Sequence, residues 1–192
     1  MKKLAVAGVA ALMATPALAH TGDFVSGFLP GLEHPVGGLD HVLAMVAVGL
    51  WSGFVLPGRV WAGAATFMGA MVAGAGLSWA GMPLPMVEVW ITLSVVAFGL
   101  LTLLSRRRQS LAMTGLSLAA IGLFAVSHGH AHASEATGGA AAYMAGFLIS
   151  TGLLHLCGIG LARMAADGAV ARVAQRIAGA AVAFGGLWLL VG

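Results

Sequence analysis

Long apolar runs alternate along the chain with short polar connections. After the first nineteen residues, six apolar runs are each at least 17 residues long, which is enough for a helix to cross a bilayer. Because backbone polar groups in lipid must be satisfied within each segment, we expect all six to be α-helices. The predicted spans are Leu39–Leu56, Val60–Ala80, Met86–Leu104, Leu111–Ser127, Ala140–Ala162 and Val173–Val191. The pattern predicts an all-α, polytopic membrane protein.

The first nineteen residues have the pattern of a secretory signal peptide. Lys2 and Lys3 precede an apolar stretch, and Ala17-Leu18-Ala19 forms a small-x-small cleavage site. The alternative is an uncleaved first helix, but the apolar stretch is short for a span of roughly 20 residues. Cleavage leaves one membrane domain of six helices, residues 20–192, with His20 at its mature N-terminus.

Composition agrees with a membrane protein. The chain is 60% hydrophobic and only 8% charged, with a mean hydropathy of +0.99, whereas soluble domains are about a quarter charged. No soluble domain is expected. The lone cysteine, Cys157, excludes a disulfide framework and a CxxC site.

The basic residues predict the orientation. Every arginine follows or flanks spans one, three and five, whereas most histidines and acidic residues lie on the other side. The positive-inside rule therefore places both mature termini outside a bacterial inner membrane. The net charge of +3 then reflects topology and not a nucleic-acid partner. The lipid bilayer is the expected partner, and a homo-oligomer is compatible with the sequence.

The segment from His34 to His41 holds two imidazoles and a carboxylate, Asp40, beside the first span. Ionisable groups at a membrane span are functional candidates, and imidazole with carboxylate suits nickel, cobalt or zinc. Because Pro35 disfavours helix at the residue before it, we expect His34 to reach the site from a loop. The structural alternatives are a helix N-cap for Asp40 and an interfacial anchor for His41.

Further metal-ligand types fall on the same predicted side, apart from His155, which is deep in its span. Glu88 lies just inside span three, His155 deep in span five, and a His-rich tract, residues 128–132, in the loop after span four. In a helix, only the first and last histidines of this tract would share a face. The alternatives are a water-exposed Glu88, a structural hydrogen bond for His155, a loosely binding loop and a frayed N-terminus at His20. The candidate metal ligands are His20, His34, Asp40, His41, Glu88, His128, His130, His132 and His155.

These residues carry a family resemblance. The run His34-Pro35-Val36-Gly37-Gly38-Leu39-Asp40-His41, with Ala44-Met45 and Val48-Gly49-Leu50-Trp51 after it, resembles the signature of the HupE/UreJ family of nickel and cobalt permeases. So do Ala19-His20-Thr21-Gly22, Glu88, the His-rich tract and Leu154-His155. The resemblance covers essentially the whole chain. It implies a secondary transporter, not an enzyme, that imports Ni²⁺ or Co²⁺ as substrate and has no permanent cofactor.

The sequence also bears on the driving force. It has no phosphate-binding loop and no lysine after Lys3, whereas a membrane potential favours entry of a divalent cation by about 4.6 kcal/mol per 100 mV. Two other classes stay open at this stage: a membrane haem protein with His41 or His155 as axial ligand, and an integral metalloenzyme.

Overall fold

The computed structural model describes residues 27–136, 139–165 and 168–191. In these ranges the chain forms seven α-helices and no strand, which confirms the all-α class. The predicted signal peptide, residues 1–19, and His20 lie outside the described residues. The helices are α1 (Phe28–Gly37), α2 (Leu39–Val55), α3 (Ala62–Trp79), α4 (Val87–Leu104), α5 (Leu111–Glu135), α6 (Ala140–Met164) and α7 (Ala169–Val191).

Several of these helices suit a bilayer. The last four helices, α4 to α7, are each long and apolar enough to cross a bilayer. Helices α1 and α2 are long and apolar enough only when they are taken together, as a fifth span bent by 82°. Large apolar side chains point outwards, for example Phe184 (72% exposed) and Leu111 (79% exposed). The chain is therefore a multi-pass membrane protein. Six spans remain a prediction, since α2 alone has 17 residues and α3 is rich in alanine and glycine.

Helix α2 is the centre of the bundle. Twelve of its 17 residues are buried, and it contacts α1, α3, α4, α6 and α7. It crosses α6 at close range, since a Cβ added to Gly49 would overlap the carbonyl oxygen of His155. This backbone-to-backbone packing is typical of membrane helices. It fixes His41, near the start of α2, relative to His155 in α6.

Two local predictions were wrong. Span four does not end at Ser127, because α5 continues to Glu135 and the His-rich tract is helical and buried rather than a loop. Alanine and glycine alternate with the histidines in the tract, so the helix can continue and pack closely against α3. His34 lies in the last turn of α1 rather than in a loop, and Pro35 follows it inside the same helix. Packing of Gly31 against the backbone of Tyr143 in α6 holds α1 in place and outweighs the local preference of the pre-proline residue.

The arginines gather at one end of the bundle. Five of them line a cavity between the ends of α2, α4 and α6 and the start of α7, and Arg59 and Arg108 line a smaller cavity beside the end of α2. The starts of α2 and α4 and the end of α5 lie at the other end, with His41, Glu88 and His132. The predicted separation of arginines from most histidines is therefore present in the fold.

Candidate metal centre

Three imidazoles from three helices converge at the end of the bundle remote from the arginines. His34 of α1, His41 of α2 and His132 of α5 each offer a ring nitrogen, and the three nitrogens lie within 4.8 Å of one another. His41 and His132 are fully buried and His34 is partly buried. We call these residues the three-histidine group. Its geometry can hold one metal ion.

The bend between α1 and α2 brings His34 to His41. Gly38 is in an extended conformation between the two helices, which meet at 82°. The ring centroids of His34 and His41 are 5.4 Å apart as a result. Without the bend, the separation of seven positions between them would place the rings roughly 10 Å apart along one helix.

Asp40 orients His41. Its Oδ1 atom accepts hydrogen bonds from the backbone N–H and from Nδ1 of His41, each at 2.9 Å. The helix N-cap is Gly38, without a side-chain cap, so the alternative of Asp40 as N-cap is not what the fold uses. Because Nδ1 carries the proton in this bond, Nε2 of neutral His41 is left with a lone pair. A carboxylate behind a ligating histidine is a common arrangement in metal sites.

His132 faces His41 through the same ring atom. The two Nε2 atoms are 2.6 Å apart. Behind His132, the Oε2 atom of Glu135 lies 3.4 Å from Nδ1, within ion-pair distance. Both rings therefore have a carboxylate on the Nδ1 side and direct Nε2 to a common point. Glu135 was not among the predicted site residues, although its spacing of three from His132 in a helix could have indicated it.

An aromatic wall closes one side of the three-histidine group. The ring of Phe147 in α6 lies 4.4 Å from that of His132 and 5.8 Å from that of His34, by centroids. Tyr143, one turn earlier, is also buried and 6.1 Å from His34. The sequence reasoning missed both residues, because aromatic side chains in an apolar span carry no distinctive signal.

A second pair of imidazoles lies deeper in the bundle. The rings of His128 and His155 both pack against the ring of Phe67, at centroid distances of 5.2 Å and 5.0 Å. Nδ1 of His155 donates to the carbonyl oxygen of Met45 at 2.7 Å, and Nδ1 of His128 donates to that of Phe124 at 3.1 Å. Each Nε2 atom is buried without a hydrogen-bond partner among the described residues. The ring of His128 is 5.5 Å from that of His41, so it links the deeper pair to the three-histidine group.

The structure does not bring every predicted ligand to this group. Nε2 of His130 donates to the carbonyl oxygen of Met82 at 2.7 Å, which joins α5 to the connection before α4. Glu88 is exposed in the first turn of α4. Only His128 and His132 of the His-rich tract face His41, as the helical alternative predicted.

Comparison with known proteins gives the family. The model of the HupE / UreJ protein family matches residues 8–189. The chain belongs to the HupE/UreJ family. Protein HupE of Rhizobium leguminosarum bv. viciae is 40% identical over 196 residues, and the alignment covers all of both chains. No solved structure matches. The predicted family is thus confirmed, and the three-histidine group of this family member fits metal binding.

Proposed function

We propose that the protein is a secondary transporter that imports a divalent transition-metal ion, Ni²⁺ or Co²⁺, and that the three-histidine group is its first buried binding site. The observation that carries the proposal is the approach of the two Nε2 atoms of His41 and His132 to 2.6 Å. Family membership supports it, because the resemblance to nickel and cobalt permeases extends over the chain.

The approach of these two nitrogens requires a cation between them or a proton shared by them. Asp40 holds the proton of His41 on Nδ1, and Glu135 favours the same for His132. With both protons on the Nδ1 side, the two Nε2 lone pairs point at each other and repel. A metal ion at about 2.0–2.1 Å from each nitrogen relieves that repulsion after a small separation of the rings, and His34 supplies a third ligand.

The ligand set selects the class of ion. Neutral imidazole suits nickel, cobalt, zinc and copper, whereas magnesium and calcium prefer oxygen ligands. Phe147 and Tyr143 limit the access of water to the site, so an ion that enters must exchange hydration water for imidazole nitrogen. This favours a transition metal over the more abundant hard cations.

The buried histidine rings define a direction of movement for the ion. From the three-histidine group, the ion would pass to Nε2 of His128 and then of His155, both of which lack a partner among the described residues. His20, Glu88 and His130 would capture the ion at the outer mouth, as the sequence suggests. We place the protein in the inner membrane, with six spans after a cleaved signal peptide and with the arginine end of the bundle inside the cell. In this orientation the membrane potential drives entry of the cation.

The geometry favours an ion over a haem. Two axial nitrogens of one haem iron lie about 4 Å apart on opposite faces of the ring, given iron–nitrogen distances near those of other imidazole sites. The Nε2 atoms of His41 and His132, at 2.6 Å, are closer than that.

The test is cellular accumulation of labelled Ni²⁺ and Co²⁺, each in competition with the other and with Zn²⁺. Cells that produce the wild type should accumulate the transported ion, and His41→Ala and His132→Ala should abolish accumulation at equal membrane levels. Glu33→Gln is the matched control, since it changes an exposed side chain one residue before His34. Full accumulation by His41→Ala would refute the proposal.

A further inference from the structure

A large cavity at the arginine end of the bundle takes no part in the proposed path. Its volume is about 1030 Å³, and it lies between the ends of α2, α4 and α6 and the start of α7. No carboxylate belongs to the described residues that line it; Asp167, next to Gly168 in the sequence, is outside them. The arginines that line it are Arg106, Arg107, Arg163, Arg172 and Arg176.

The floor of the cavity is a fixed polar structure. Gln175 is buried, and its Nε2 atom donates to the carbonyl oxygens of Thr102 and Ser105, each at 2.8 Å. These two bonds tie α7 to the end of α4. Arg172 and Arg176 lie three residues before and one residue after Gln175, four apart on α7, so their side chains emerge on neighbouring positions of one helix face. The arginines therefore extend from an anchored segment.

The charge of this cavity favours an anion. Five exposed guanidinium groups around one concave space repel one another and repel any cation. Gly168, just before α7, and Ala171, in the first turn of this 23-residue helix, also line the cavity, and the partial positive charge of a helix N-terminus adds to the field. Guanidinium groups bind phosphate through two parallel hydrogen bonds, which makes phosphate the matching chemistry.

We propose that this cavity binds a phosphate group, carried by the headgroup of an anionic phospholipid or by a soluble phosphate. The lipid source is favoured by the surroundings. Leu104 lines the cavity together with the arginines and is 72% exposed, and Phe54 and Pro57 line it too. Apolar and guanidinium groups side by side suit a molecule that is part acyl chain and part phosphate.

The experiment measures lipid binding to the purified full-length protein by native mass spectrometry and by melting temperature. Phosphatidylglycerol is compared with phosphatidylcholine, and inorganic phosphate and pyrophosphate are added in a separate arm without lipid. The double variant Arg172→Gln/Arg176→Gln should bind phosphatidylglycerol about thirtyfold more weakly, since each arginine near an anionic lipid contributes a factor of about five. The preference over phosphatidylcholine should be lost with it.

Arg59→Gln/Arg108→Gln is the matched control. It removes the same charge from the same end of the bundle, but both residues line the neighbouring smaller cavity. It should retain the preference for phosphatidylglycerol. Arg172→Lys/Arg176→Lys keeps the charge and should retain part of the affinity, which guards against loss through misfolding.

Each outcome decides the proposal. Protection by inorganic phosphate or pyrophosphate that only Arg172→Gln/Arg176→Gln abolishes would support the site with a soluble source. Equal losses in the two double variants would overturn it, because the effect would then be the general attraction of basic residues to anionic lipid. Absence of any preference for phosphatidylglycerol and of any response to phosphate would overturn it as well.

Discussion

His41 and His132 are 91 residues apart in the chain, and their Nε2 atoms lie 2.6 Å from each other in the fold. The Nδ1 side of His41 rests on Asp40 at 2.9 Å, and that of His132 faces Glu135 at 3.4 Å. Each carboxylate would therefore act on the proposed metal site through the ring of its histidine. Asp40 makes the shorter contact and is the more buried of the two acids, so it should have the larger influence on metal affinity.

Asp40→Asn should weaken metal binding about 10- to 100-fold, which is the usual effect of removing a carboxylate behind a ligating histidine. The amide keeps the size of the side chain but can direct an N–H group at Nδ1 and so favour the wrong tautomer of His41. The measurement is titration of the purified protein with Co²⁺, followed by its visible absorption.

Glu135→Gln in the same titration should have a smaller effect, because the distance from Glu135 to His132 is longer and its side chain is 37% exposed. Glu33→Gln serves as the control for loss of an exposed carboxylate. A reversed order, with Glu135→Gln the more damaging variant, would contradict the assignment of Asp40 as the main orienting group.

His130 and His132 are two residues apart, but their substitution should affect different properties of the protein. His132→Ala removes a member of the three-histidine group and should abolish Co²⁺ binding. His130→Ala removes the hydrogen bond to the carbonyl oxygen of Met82 and should lower the free energy of unfolding by about 1 kcal/mol with little change in Co²⁺ affinity at the buried site. Equal loss of affinity in both variants would show that His130 ligates the bound ion.

The sequence predicts those features of the fold and of the candidate site that depend on local composition. The order of apolar runs and the placement of arginines predicted helices α2 to α7 and the two chemically distinct ends of the bundle, because both depend on local composition; the short helix α1 was not predicted. The residue types in the segment from His34 to His41 indicated a metal site for the same reason. The partnership of His132 with His41 depends on helix packing over 91 residues, and local patterns do not contain it.

The errors have the same origin. The rule for pre-proline residues is a local preference, and it was overridden at His34 by the packing of Gly31 on Tyr143. The His-rich tract reads as a loop from its polarity, but burial against α3 makes it helical. The aromatic wall of Phe147 was missed because a phenylalanine in a span is ordinarily core.

His155→Gln should separate binding from transport. The glutamine amide can donate to the carbonyl oxygen of Met45, as Nδ1 of His155 does, so the fold should be retained. It provides no imidazole at the position of Nε2 for an ion that leaves the three-histidine group. We expect unchanged Co²⁺ titration of the purified variant and accumulation in cells near background. Normal accumulation would show that the path does not use His155.

Gly129→Ala tests whether close packing of α5 on α3 positions the three-histidine group. An added Cβ would overlap the carbonyl oxygen of Met71, so the two backbones must separate, and His128 and His132 on either side of this contact would shift. Overpacking of this kind typically costs about 1–3 kcal/mol. We expect a lower melting temperature and weaker Co²⁺ binding.

Gly115→Ala is the matched control on the same helix, since nothing lies within 4 Å of its added Cβ. Alanine is a better helix former than glycine by roughly 0.5–1 kcal/mol, so this variant should melt at the same temperature or higher and bind Co²⁺ normally. If Gly129→Ala also bound Co²⁺ normally, the spacing of α3 and α5 would not set the geometry of the metal site. The site would then depend on the contacts of α5 with α2 and α6 through the rings of His41 and Phe147.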